Sequence, residues 1–261
     1  MERRRYALRL AYDGRAFRGF QRQPGLATVQ EAVEAALARA GADARVQPAA
    51  RTDAGVSALD QVVTFSLRAD LDPADLRAAV NLATPGSILC LGAAAVPRSF
   101  HARASALSRR YTYLVATGPV GDLAPWCWSL PDPRAFPDSG GAALDLGRLT
   151  RALEQATGTH DFAGFARGDA APRTVRTVRR VTVARAAAAP LIAIGIEADG
   201  FLRAMVRNLV GCAVTIGLGL EPPGTVSSLL ESPSRYRGVR APGWGLTLVE
   251  VSYPPGWLEW V

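Results

Sequence analysis

The chain has 261 residues, 49% of them hydrophobic, a formal net charge of +7, and no apolar run near the roughly 20 residues that span a bilayer. All 30 basic residues are arginine, which removes Schiff-base, P-loop and kinase-type lysine chemistry. Three widely spaced cysteines without a CxxC pair (Cys90, Cys127, Cys212), together with two histidines, argue against a disulfide framework and a Cys/His zinc site.

The basic start Met1–Arg5 leads into alternating sequence and not into the apolar block of a signal peptide, so a soluble, cytoplasmic protein is expected. The alternation over Tyr6 to Tyr12 predicts a half-buried strand, closed by Asp13-Gly14. After an Arg-, Gly-, Phe- and Gln-rich loop from Arg15 to Pro24, Thr28-Val29-Gln30-Glu31 reads as a capping box opening a helix from Val29 to about Ala40. A strand follows from Gln61 to Leu67. Asp72-Pro73 opens a second helix ending near Asn81, and Ile88 to Val96 is a further strand. The second half repeats this alternation. Strands are expected over Arg110–Ala116, Val175–Ala184, Leu191–Ala198 and Leu246–Val251, and helices over Asp145–Thr157 and Gly200–Leu218. The expectation is an α+β fold of two similar halves, 1–104 and 105–261, each with a mainly antiparallel sheet flanked by helices. The Pro- and Gly-rich stretch from about 118 to 147 reads as a surface insertion, with Trp126 and Trp128 as its anchors, an RNA-stacking platform being the other reading of the two tryptophans.

The segment Ala49-Ala50-Arg51-Thr52-Asp53-Ala54-Gly55-Val56 places an arginine, a carboxylate and a glycine in a loop ahead of a strand. Taken alone, Asp53 reads as a turn or N-cap residue. Its company changes that reading. In chain order stand Tyr12-Asp13-Gly14, Gly19-Phe20-Gln21-Arg22-Gln23, Thr28-Val29-Gln30-Glu31, Arg51-Thr52-Asp53-Ala54-Gly55-Val56, and Gln61-Val62-Val63 with Phe65. There follow Asn81, Phe100-His101-Ala102-Arg103, Arg109-Arg110-Tyr111, His160-Asp161-Phe162, Arg173-Thr174, Met205 to Gly211, and Gly245-Leu246. In these elements and their order, from near Tyr12 to Pro254, the chain resembles the TruA family of tRNA pseudouridine synthases.

The resemblance implies the pseudouridine synthase fold and the isomerisation of uridine in the anticodon stem and loop of tRNA, at positions 38, 39 and 40. No redox or group-carrying cofactor is expected, because the reaction gains and loses no atoms, and no cluster of acidic residues in the sequence suggests a metal site, although counting alone leaves a carboxylate-only Mg²⁺ site open. The resemblance makes Asp53 the catalytic carboxylate. Attack on C1′, attack on C6 and proton abstraction at C2′ remain open routes. Arg51 is expected to displace the target base and hold the vacated space, as suits a planar cation. Tyr111 would pack on the uracil, and Arg207 would pair with the carboxylate. Phe201 and Leu246 would line the pocket, although plain core packing explains them nearly as well.

Arg15, Arg18, Arg22, Arg103, Arg109 and Arg110 are candidates for phosphate contacts, each also readable as a solvated charge. His101 and His160 read as structural hydrogen-bonding groups, with RNA contact as the other reading. The family forms homodimers, so the expected partners are tRNA and a second copy of the chain, with no membrane. A non-catalytic tRNA-binding protein on the same fold is the alternative. An aspartic hydrolase would need a second Asp turn, and Asp13-Gly14 and Asp199-Gly200 lack its flanking Thr or Ser. Three departures from the family pattern stand out. Ser57 replaces a frequent His, Phe20 a frequent Trp, and the Asn81–Ile88 segment lacks a Leu before its Pro and an Asp before its Ile.

Overall fold

The computed structural model describes residues 3–130, 132, 136, 143–168, 173–232 and 234–261. In chain order the elements are β1 (Arg4–Tyr12), α1 (Val29–Arg39), β2 (Gln47–Pro48), β3 (Ser57–Leu67), α2 (Pro73–Ala83), β4 (Ile88–Val96) and β5 (Ser108–Ala116). They continue with β6 (Trp128–Ser129), α3 (Leu146–Glu154), β7 (Gly158–Asp161), β8 (Val175–Arg185), β9 (Leu191–Ala198), α4 (Met205–Gly217), α5 (Thr225–Glu231) and β10 (Leu246–Ser252).

Three helices begin where a side chain can accept a free helix-end N–H. Thr28 accepts from Glu31 N, Asp72 from Ala74 N with Pro73 at the first helical position, and Asp145 from Arg148 N. Helix α4 begins five residues later than expected. Ala204 precedes it at φ +60°, a left-handed backbone that breaks helical continuity from Gly200.

The chain divides into two compact units. One holds residues up to Arg109 together with Thr247–Val261, and the other holds Arg110–Leu246. In the first, the strand order is β4-β1-β3-β10, with β2 beside β3. β1 pairs antiparallel with both β3 and β4, with Tyr6 opposite Phe65, Leu8 opposite Val63 and Leu10 opposite Gln61. Period-two alternation turns Tyr6, Leu8 and Leu10 to one buried face, and Val33, Leu37, Leu76 and Val80 of α1 and α2 complete that core. The Tyr6 and Phe65 rings stack at 5.7 Å.

In the second unit the order is β5-β9-β8-β7, with β6 parallel to β5. Ile192, Ile194 and Ile196 of β9 are buried with Leu149 and Leu153 of α3 and with α4. Helix α4 is apolar almost all round, and every residue of it except Arg207 is buried. Both units are α+β with mainly antiparallel strands, as expected.

Two features differ from the sequence reading. The division falls after Arg109 and not at 104/105, and the C-terminal strand returns to the first unit. There β10 runs parallel to β3, with Thr247 opposite Ser57 and Leu248 opposite Ala58. Periodicity identifies a strand but not its neighbour, and a parallel neighbour is reached through a long crossover. Of the expected 118–147 insertion, residues 131, 133–135 and 137–142 lie outside the described residues. In the described part Trp128 is 1% exposed, its Nε1 donates to Asp132 Oδ2 at 3.2 Å, and its ring meets Tyr113 and Phe136. Trp128 is thus a core anchor. Trp126 is partly buried at the end of a 3₁₀ turn.

Candidate active site

The loop between β2 and β3 is held residue by residue. Ala49 N donates to Val62 O at 2.8 Å. Gln61 clamps both backbone groups of Ala50, donating to its O at 2.7 Å and accepting from its N at 3.3 Å. The Gln61 amide also donates to the Tyr12 hydroxyl at 3.4 Å, and that hydroxyl meets Thr52 Oγ1 at 2.8 Å. With the amide oriented by Ala50, the Tyr12 oxygen accepts from Gln61, and either hydroxyl of the Tyr12–Thr52 pair can donate to the other. Gln61, Tyr12 and Thr52 are all buried, and burial pushes the Tyr12 phenol up to about 12.

Asp53 to Val56 form a β-turn closed by Val56 N donating to Asp53 O at 3.1 Å. Gly55 stands third in it at φ +81°, a backbone that glycine adopts without steric cost. The loop after β1 straps this turn from outside. Phe20 N donates to Thr52 O at 3.0 Å, and Gly55 N donates to Phe17 O at 3.4 Å. Gly14 presses against the turn's exit, where a Cβ would lie 2.0 Å from Val56 O. Its N–H donates to Ser57 Oγ at 3.0 Å, so the serine found in place of the family's frequent His is a buried acceptor that closes this joint. Asp53 is half-buried and Arg51 exposed.

In the second unit, the Tyr111 ring is 6% exposed and lies edge-on to Phe201, with centroids 5.2 Å apart. Arg207, in the first turn of α4, donates from Nε to Ala241 O at 2.8 Å, while Ala241 N donates back to Arg207 O at 3.1 Å. Its guanidinium is thereby gripped along one edge. Leu246 is buried at the start of β10. The Tyr113 hydroxyl donates to Pro242 O at 2.9 Å, and burial holds its phenol well above the ordinary range while the charge of Arg207 opposes that rise.

Of the phosphate candidates, Arg15, Arg18, Arg22, Arg103 and Arg110 are exposed. Arg15 pairs with Asp13, its Nε 2.9 Å from Oδ1, and this pairing pulls the Asp13 carboxyl below its usual range. Arg22 reaches Glu34 at 3.2 Å. Arg109 departs from the expectation. It is 6% exposed, and its guanidinium donates to the carbonyls of Ala49, Ala106 and Arg103. Donors turned inward to carbonyls are not presented to a phosphate, and Arg109 leaves that group.

Both histidines hydrogen-bond locally. His101 Nδ1 accepts from Arg103 N and Ala104 N, and His160 Nε2 donates to Thr157 O. The buried frame of Tyr12, Thr52 and Gln61 is the part of the site to which sequence reasoning gave no role. A signal for it exists, since Gln61 shares a strand face with Val63, Phe65 and Leu67, and a polar residue in an apolar row must find buried partners. Among the described residues, no cluster of three or more His, Cys, Asp or Glu side chains is placed to hold a metal, and no helix is long and apolar enough to cross a membrane.

Residues 152–254 match the family model described as tRNA pseudouridine synthase. A tRNA pseudouridine synthase A of Frankia casuarinae is 39% identical, covering 96% of this chain and 90% of that protein. Proteins of the same name from Methylacidiphilum infernorum and Verminephrobacter eiseniae are each 37% identical, over 96% and 97% of this chain and 96% and 95% of theirs. A solved Cbf5-Nop10-Gar1 complex contains a chain with a TM-score of 0.33 and 12% identity, covering 80% of this chain and 45% of that one, a likeness too loose to bear on function. With relatives this similar along almost its whole length, the chain belongs to the tRNA pseudouridine synthase A family.

Proposed function

We propose that this chain isomerises uridine to pseudouridine in the anticodon stem and loop of tRNA, with Asp53 as the reacting carboxylate. The observation that carries the reading is the Asp53 turn. A buried frame of Tyr12, Thr52, Gln61 and Ser57 fixes its backbone, while Asp53 itself is half-buried. Such rigidity suits a nucleophile or base that must meet one atom of an extruded nucleoside.

In the reaction the N1–C1′ bond breaks and a C5–C1′ bond forms. The proton on C5 is lost and N1 gains one, so the atoms balance without a co-reactant. Arg51, exposed two residues before Asp53, fills the space left by the flipped base. Tyr111, its ring set by Phe201, packs on the uracil, Arg207 pairs with the carboxylate, and Leu246 lines the pocket. These roles rest on the family resemblance. Arg15, Arg18, Arg22, Arg103 and Arg110 supply phosphate contacts. The same resemblance supports a homodimer working in the cytoplasm.

The test is tritium release from tRNA labelled at uridine C5, with wild type and Asp53→Ala compared, beside a binding titration. The expected result is release by wild type alone, with tRNA affinity kept within a few-fold in the variant because phosphate contacts supply most of it. Binding without release by either protein would support a non-catalytic tRNA-binding protein instead.

A further inference from the structure

We infer that Arg109 is a positioning residue for this reaction, tying the entrance of the Asp53 loop to the turn that carries Arg103. The inference rests on the Asp53 reading above. A guanidinium taken out of water is costly unless its donors are satisfied. At 6% exposure, Arg109 meets that demand with backbone carbonyls. Nε and Nη2 donate to Ala49 O at 3.4 and 3.1 Å, Nη1 donates to Ala106 O at 3.3 Å, and Nη2 also donates to Arg103 O.

Both gripped segments are themselves held by hydrogen bonds. On one side Ala49 N is held by Val62 O, Ala50 by Gln61 and Thr52 by Tyr12, so three residues leading to Asp53 are fixed in succession. Arg109 adds a further fixing, at the Ala49 carbonyl. On the other side Ser105 N donates to His101 O at 2.9 Å, Ser105 Oγ accepts from His101 N at 3.0 Å, and the Tyr253 hydroxyl donates to Ala102 O at 2.6 Å. A fork with five donors can join two such carbonyl-lined segments at once.

The experiment compares wild type, Arg109→Met, Arg109→Lys and Arg103→Ala. It measures single-turnover tritium release at saturating tRNA, tRNA affinity against salt, and the urea midpoint. For Arg109→Met the expected release rate is about a hundredfold lower, the loss typical of a catalytic group displaced by about 1 Å. Affinity stays within about threefold, and the slope of log K on log salt is unchanged. Arg109→Lys, which can donate to the same carbonyls without the planar fork, recovers part of the rate. Arg103→Ala, an exposed cation, flattens the salt slope by about one.

A flattened slope in the Arg109 variants would make Arg109 a phosphate contact and overturn the inference, as would a wild-type rate in Arg109→Met. If Arg109→Met fails to fold, Arg109→Lys decides. A reduced rate with unchanged binding supports positioning, and a wild-type rate refutes it. No release by wild type sinks the functional reading and this inference together, whereas loss confined to Asp53→Ala sinks this inference alone.

Discussion

Replacing Gly14 by alanine tests whether the Asp53 turn is held by close backbone packing. The added Cβ would stand 2.0 Å from Val56 O, 2.2 Å from Val56 C and 2.7 Å from Ser57 N. The obstacle is backbone, so no side chain can swing aside. To restore even a 3.0 Å contact the two segments must part by at least 1.0 Å, the difference between 3.0 and 2.0. Overpacking of this kind costs about 1–3 kcal/mol. Losing the bond from Gly14 N to Ser57 Oγ adds about 1 kcal/mol. The sum is roughly 2–4 kcal/mol, a fall in urea midpoint of about 1–2 M at a slope near 2 kcal/mol/M. Val56 closes the turn that begins at Asp53, so the same shift displaces the carboxylate, and turnover is expected to drop about a hundredfold. Urea unfolding and single-turnover tritium release measure the two effects. A Gly14→Ala protein with both the midpoint and the rate of wild type would refute the claim that Gly14 wedges the turn.

Gln61→Met keeps the volume and removes the clamp. It strips N and O of the half-buried Ala50 of their partner, where each group left unpaired costs about 1–3 kcal/mol. Destabilisation of roughly 3 kcal/mol with turnover lowered at unchanged tRNA affinity is expected from urea unfolding and single-turnover assays, and an unaffected rate would show that the clamp does not hold Asp53. Alkaline pH tests the Tyr12 phenol. Its folded value of about 12 lies above the ordinary 10.0, so the folded chain keeps a proton that the unfolded chain loses between those values. Stability from this group is complete below about pH 10 and falls as pH rises toward 12, by about 2–3 kcal/mol at roughly 1.4 kcal/mol per unit. The stability gap between wild type and Tyr12→Phe should therefore narrow across that window in urea unfolding, and a constant gap would refute it.

What local sequence determines here is what local physics controls. Thr28, Asp72 and Asp145 start helices because each side chain reaches an N–H two or three residues on. Alternation over Tyr6 to Tyr12 sends Tyr6, Leu8 and Leu10 to one face whatever the strand's neighbours. The same holds for the Asp53 turn, where Gly55 supplies a positive φ that other residues resist. Ordered motifs from Tyr12 to Pro254 carried the family, because they sample positions along the whole chain. Pairings between distant residues were not legible. Nothing near Ser57 announces that its hydroxyl meets Gly14, 43 residues away. Nothing in Arg109-Arg110 says that the first arginine turns inward and the second outward, because the difference lies in carbonyls 3 to 60 residues distant. The return of Thr247–Val261 to the first unit depends on β10 finding β3, a parallel register that only the folded chain defines. Residue type determines what each side chain needs. Tertiary structure decides which partner meets the need, because burial and hydrogen-bond satisfaction are settled between segments far apart in the chain.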